Sequence, residues 1–238
     1  MYSPAWPHGQ IKEILPNIFM VTGTNIIKHD NAVLQHSRNM IIVRDGNVLS
    51  LINTVRLQDN ALITLESLGD VQNIIKIGAF HGRDDLFYID RYSAKLWALK
   101  GMVHDHNHTA DIEMVSGSKM PFDNGSLFVF ETAKQPEGIL HIAQEGGILI
   151  TCDSIKNWLA PDQFFNAETA KKYEDQGLFG AASISTVWKK ACHVKSSDFV
   201  KLKTLAFCHL LSAHGEPLLN NAYELVAKTI RQEYEFRV

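Results

Sequence analysis

Four side chains in this sequence stand directly after apolar runs that read as strands. His81 and Asp85 follow the run over 71–80, Asp153 follows Ile148-Leu149-Ile150-Thr151-Cys152, and His214-Gly215 follows the late apolar run ending at Leu211. Loops at strand ends gather side chains onto a rigid frame, so polar residues there are site candidates. Two imidazoles and two carboxylates from distant parts of the chain suit a zinc-like or iron-like ion. Such an ion acidifies a bound water toward pKa ~7, which makes a nucleophile available at neutral pH. Each residue also has a plainer use. His81 can cap a strand end, Asp153 can cap a following helix, and His214-Gly215 can be a turn.

Further His and Cys residues extend the choice. His104, His106 and His108 alternate, and in an extended segment alternate side chains share a face that could chelate; the plainer reading is an exposed polar loop. His141 and His209 read as satisfied strand or core residues, and Cys152 as a small buried hydrophobe. Trp158, Phe164, Phe165 and Tyr173 form an aromatic-rich stretch after Asp153 that suits either a cavity wall or core packing.

The elements that must position these residues are legible from periodicity. Strands are expected over 17–22, 40–44 and 48–52, the last two joined by the turn Asp45-Gly46-Asn47. Leu62, Leu65 and Leu68 recur at helical spacing and Gly69 follows as a stop. The run over 71–80 reads as a strand buried on both faces, followed by a short helix over 84–92 and a strand over 94–99. Strands follow over 112–115, 126–130, 138–144 and 148–152, with Glu145-Gly146-Gly147 as a hairpin turn. Residues 199–211 begin helical, with Asp198 as N-cap, and end in an apolar run; Ala222, Leu225, Val226 and Tyr234 stripe a last helix. Hairpins with interspersed helices point to a layered α/β (α+β) sandwich, read as one domain over 1–238.

Composition narrows the partners. The 238 residues carry 23 Lys plus Arg and 26 Asp plus Glu, a net charge of −3, which disfavours a polybasic nucleic-acid binder and gives no reason to expect an anionic membrane surface. Three Cys without a Cys-x-x-Cys support neither a disulfide framework nor a cysteine zinc knuckle. With no basic-then-apolar leader at the start and no long apolar run, the expectation is a cytoplasmic protein acting on a small-molecule substrate or ligand. The sequence assigns no oligomeric state.

The strand-end motifs resemble those of the metallo-β-lactamase fold family, in register from about Leu15 to about Pro217. The family's His-x-His-x-Asp-His is similar to His81-Gly82-Arg83-Asp84-Asp85-Leu86, with Arg83 and Leu86 replacing two His. Its Pro-Gly-His-Thr-x-Gly turn aligns with Ala133-Lys134-Gln135-Pro136-Glu137-Gly138, so Gln135 stands where the His would be. Its Gly-Asp looks like Cys152-Asp153, and its last His-Gly looks like His214-Gly215. The resemblance implies a four-layer αββα sandwich. It also implies that four of seven metal ligands survive: His81, Asp85, Asp153 and His214. At most one ion is then expected, zinc or else iron or manganese. Asp85 or Asp153 would position water or shuttle its proton during hydrolysis of an ester, thioester, lactam, lactone or phosphodiester. Fold alone does not choose among these.

Arg83 favours the opposite outcome. A guanidinium about 5 Å from a dication opposes it by roughly 6–7 kcal/mol at an effective dielectric of ~20. Arg83 could instead fill the vacated metal volume and pair with Asp85 or Asp153. The alternative is therefore a non-catalytic, metal-free member that binds a small anionic or apolar ligand or a protein. An iron-dependent redox variant is a third possibility.

Overall fold

The computed structural model describes residues 2–29, 32–104 and 108–235. The chain opens with β1 (Lys12–Leu15), β2 (Ile18–His29), β3 (Ala32–Asp45) and β4 (Val48–Ile52), successive antiparallel neighbours. Gly46 makes the β3–β4 turn at φ +58°, a conformation that costs a glycine nothing. Parallel pairing then needs crossovers. Helix α1 (Asp59–Leu68) leads to β5 (Asp70–Lys76), α2 (Asp85–Tyr92) leads to β6 (Lys95–Leu99), and β7 (Ile112–Met114) completes a seven-stranded sheet in chain order.

Next come β8 (Gly125–Val129), β9 (Gly138–Ile142), β10 (Ile148–Thr151) and the short β11 (Ile155–Trp158). Helix α3 (Ala167–Asp175), β12 (Gly180–Ile184), α4 (Thr186–Cys192), α5 (Ser196–Leu202), β13 (His209–Ser212) and α6 (Ala222–Ile230) finish the chain. The second sheet has the order β13-β10-β9-β8, with β13 and β10 parallel, and β11 pairs with β12 alone.

Side-chain alternation along these strands builds the four layers. Ile41, Ile75, Ile150 and Leu211 face the space between the two sheets. Their neighbours Ile42 and Ile74 point the other way, against Leu62, Leu65 and Tyr88 of α1 and α2. On the far side Leu149 and Leu210 meet Trp188, Phe199 and Val226 of α4, α5 and α6. The result is an α/β fold with two mixed sheets flanked by helices.

Three expectations are corrected. The strand expected over 17–22 runs on to His29, and its partner begins at Ala32, because cross-strand pairing continues through Asn25↔His36 to His29↔Ala32. The added residues mix polar side chains with Ile26-Ile27 and Val33-Leu34, so they show no clean alternation. The strand expected over 71–80 stops at Lys76, and Gly78 instead bridges to Glu137 of the second sheet. Asp198 lies inside α5, whose N-cap is Lys195; its carboxylate accepts bonds from Thr132 N (2.9 Å) and Thr132 Oγ1 (2.7 Å). No helix among the described residues is long and apolar enough to cross a membrane.

Candidate metal centre

Parallel pairing of β10 with β13 brings two of the site residues together. Thr151 sits opposite Ser212, so Asp153 and His214 leave the same end of the sheet side by side. Asp153 is followed by β11 rather than by a helix, which removes the capping use. Gly215 keeps the His214 turn tight at φ +87°, and a Cβ there would overlap the Asn157 carbonyl. Asn39 of β3 locks this turn by donating to the Ser212 carbonyl (2.9 Å) and the Gly215 carbonyl (2.7 Å). His81 arrives from the first sheet, on a loop stapled to the second by Ala79 N to Pro136 O (3.1 Å) and Gly138 N to Ile77 O (2.8 Å).

The three side chains converge. His214 Nε2 is 3.3 Å from Asp153 Oδ1, and His81 Nε2 is 3.4 Å from Asp153 Oδ2. One donor atom from each of the three lies within 4.8 Å of the others. His214 Nδ1 is 3.1 Å from the Ser37 carbonyl, which only accepts, so Nδ1 carries the proton and Nε2 presents a lone pair. A lone pair facing a carboxylate oxygen at 3.3 Å calls for a cation between or beside them. An imidazole whose other nitrogen donates to a backbone carbonyl is also the usual arrangement of a histidine ligand. His81 Nδ1 is buried with no hydrogen-bond partner among the described residues. This donor set fits a metal ion such as zinc.

Electrostatics agree. Burial works to raise the Asp153 carboxyl, but the charge His81 can carry beside it outweighs this and holds the group well below the usual carboxylate range. Burial lowers His214 despite the neighbouring Asp153, which keeps the imidazole neutral and available as a ligand.

A cavity of about 300 Å³ opens onto this cluster. Trp158 stacks on His214 at 4.7 Å between ring centroids and 20° between planes, while Tyr173 and His36 pack at 5.6 Å. The aromatic stretch therefore does form a wall, through Trp158 and Tyr173; Phe164 lies outside the cavity lining. Sequence reading gave no role to His36, which is buried beside His214 and lines the same cavity. Its Nδ1 faces the Ser37 carbonyl (3.1 Å) and Asn25 Nδ2 donates to its Nε2 (3.2 Å), which fixes a neutral tautomer. Burial, reinforced by the charge His214 can carry, pushes its pKa down to about 3.

The remaining expected residues fall elsewhere. Asp85 is not part of the converging group; it is buried at the start of α2 and its Oδ1 accepts from Thr54 Oγ1 at 2.6 Å. Arg83 Nη1 donates to Asn25 Oδ1 (3.0 Å) and to the Ile26 carbonyl (2.8 Å), which anchors the guanidinium on β2, with Trp6 beneath it. Gln135 is exposed, whereas Glu137, two residues on, is buried against Cys152 and Asp153. Of the alternating histidines, His106 lies outside the described residues. His141 and His209 bond to the Ala206 and Glu145 carbonyls, as satisfied structural residues do.

Neither the scan against family models nor the search of curated proteins finds a match to this chain. Solved structures do match. VMB-1 is 12% identical over 93% of this chain and 94% of its own, with a TM-score of 0.63. The chain has the metallo-β-lactamase fold. The metallo-β-lactamase FIM-1 from Pseudomonas aeruginosa, in its mono-zinc form, matches at 12% identity over 97% of this chain and 98% of its own, TM-score 0.60. A metallo-β-lactamase from Erythrobacter litoralis matches at 11% identity, 93% and 92% coverage and TM-score 0.60. Identity this low shows the fold alone, so what the site does has to be argued from its own atoms.

Proposed function

We propose that this protein is a metal-dependent hydrolase of a small molecule, working with one ion held by His81, Asp153 and His214. The observation that carries the reading is the convergence of three donors from three separate strand ends within 4.8 Å of one another. Three protein ligands leave a coordination position open, which is the arrangement of a catalytic rather than a structural site. An ion there would supply Lewis acidity, polarising a substrate carbonyl or phosphoryl oxygen and acidifying water.

The chain's own residues do the rest. The Ser37 carbonyl and the Trp158 ring fix the His214 imidazole in tautomer and in plane. Asp153 is the one carboxylate among the described cavity-lining residues, so it is the group placed to orient an attacking water by accepting its hydrogen bond. Asp85, enclosed and bonded to Thr54, holds the His81 loop in place. Trp158, Tyr173 and Leu178 take the apolar body of the substrate and exclude bulk water.

A metal-free binder of a small anion is the second reading, favoured by Arg38, Arg83 and Lys156 in the same lining. Chelator-stripped protein reloaded with zinc, iron or manganese and presented with chromogenic esters, lactones, thioesters, β-lactams and phosphodiesters separates the two. Metal-dependent turnover of one class is expected. It should fall in Asp153→Asn and His214→Ala by at least the ~100-fold that changes even outside the ligand shell can cost. Absence of stoichiometric metal uptake, or equal turnover in Asp153→Asn, would overturn the reading.

A further inference from the structure

A second group of potential ligands lies just beneath the first. Glu137, Cys152 and Asp153 each offer a donor atom, and these atoms lie within 4.8 Å of one another. Their elements are fixed independently: Glu137 precedes β9, and Cys152 and Asp153 follow β10. Glu137 is 1% exposed and Cys152 fully buried. Glu137 Oε1 accepts from Ser154 N at 2.6 Å, and Oε2 is buried with no close hydrogen-bond partner among the described residues. A buried carboxylate oxygen without a partner is costly, and such atoms mark a missing proton, water or ion.

Cys152 packs directly against the backbone at residue 78. Residue 78 is glycine, and a Cβ there would overlap Cys152 Sγ and lie 3.4 Å from Glu137 Oε2. The thiol and this carboxylate oxygen therefore both lie beside Gly78. Cys152 Sγ is 3.9 Å from Asp153 Oδ2, the oxygen that also faces His81. The charge of Lys76 acts on Cys152 only weakly, and its Nζ donates to the Val103 carbonyl at 3.0 Å. Asp153 is the most exposed of the three and opens to the cavity, which gives an ion a way in.

We propose that Glu137, Cys152 and Asp153 form a second cation site, with Asp153 shared between it and the His81–His214 site. One thiolate and two carboxylates suit a borderline-soft divalent ion such as zinc, cobalt or iron and disfavour magnesium and calcium. Binding converts the Cys152 thiol to thiolate and releases its proton, with any proton held on Glu137, to solvent. The site shares Asp153 with the hydrolase reading but does not require that any substrate turn over.

Cobalt(II) titration of the chelator-stripped full chain tests it, in a Cys208→Ser background that removes the half-exposed thiol. The expected result is uptake of a second equivalent of cobalt with a near-ultraviolet thiolate-to-cobalt charge-transfer band. Cys152→Ala should lose the band and one equivalent while keeping the other. Glu137→Gln should weaken the band-forming step at least ~10-fold, as for loss of a ligand-shell partner. His214→Ala should lose one equivalent and retain the band. Uptake of a single equivalent with no band in the Cys208→Ser protein overturns the proposal without recourse to any further variant. A band unaccompanied by hydrolysis would sink the hydrolase reading and leave this one standing.

Discussion

Acid should destabilise this protein through His36, and the size of the effect follows from its burial. The folded imidazole has a pKa of about 3 against an ordinary value of 6.5, because burial penalises its charged form first and the His214 charge adds to that. The unfolded chain therefore binds a proton that the folded chain refuses anywhere between those two values. Stability is fully present above pH 6.5 and is lost as pH falls toward 3. At pH 5 the unfolded pKa is 1.5 units above the medium, and at 1.36 kcal/mol per unit the loss is about 2 kcal/mol. His36→Gln keeps a group able to accept from Asn25 Nδ2 but cannot titrate. Urea unfolding of chelator-treated wild type and His36→Gln at pH 7 and pH 5 isolates the contribution. His214 loses stability in the same direction, while Asp85 and Glu137, both raised by burial, act in the opposite sense. Asp85 and Glu137 are common to both proteins and cancel in the comparison, whereas His214 couples to His36 and its change is read together with the His36 contribution. If wild type and His36→Gln lose equal stability between the two pH values, the imidazole is not held neutral in the folded state and the reasoning fails.

Zinc at one hundred times its dissociation constant should raise unfolding stability by about 2.7 kcal/mol, read as a shift in the denaturation midpoint, and Asp153→Asn should abolish the gain. Gly215→Ala should destabilise by roughly 2–4 kcal/mol, since a Cβ meets the Asn157 carbonyl at a positive φ; thermal unfolding reads this directly. Asp84→Asn should cost about 3–5 kcal/mol in chemical denaturation, because it leaves the buried Arg38 guanidinium without its ion partner.

The layers were legible because each central strand alternates between two apolar environments. Ile41 and Ile42 serve different cores, and so do Leu149 and Ile150. The candidate site was legible where a donor side chain follows a strand, at His81, Asp153 and His214. It was not legible where the chain reaches the site sideways. His36 lies mid-strand in the polar part of the β2–β3 hairpin, with no local pattern to mark it, and it meets His214 only because that hairpin extends beyond the sheet. Glu137 sits in a turn whose aligned position, Gln135, points to solvent. What turns Glu137 inward is its bridge to Gly78, a contact between residues far apart in sequence.

Asp85 shows how a residue that matches a motif can be taken up by the frame instead of joining the converging donors. Three consecutive polar side chains follow Gly82, and each is bound to a different part of the frame. Arg83 reaches β2 through Asn25 and Ile26. Asp84 pairs with Arg38 of β3 and accepts from Arg56 N at 2.9 Å. Asp85 accepts from Thr54 beyond β4. Every one of these contacts fixes the loop that carries His81, and none needs an ion to form. A metal-free apoprotein with this loop already has the His81 imidazole in place, so little ordering cost remains to be met when an ion binds. Arg83 and its two neighbours thus form a bracket that holds the His81 loop still. The same bracket fixes Arg38 at the cavity wall, so the positive lining and the metal position are set by one network.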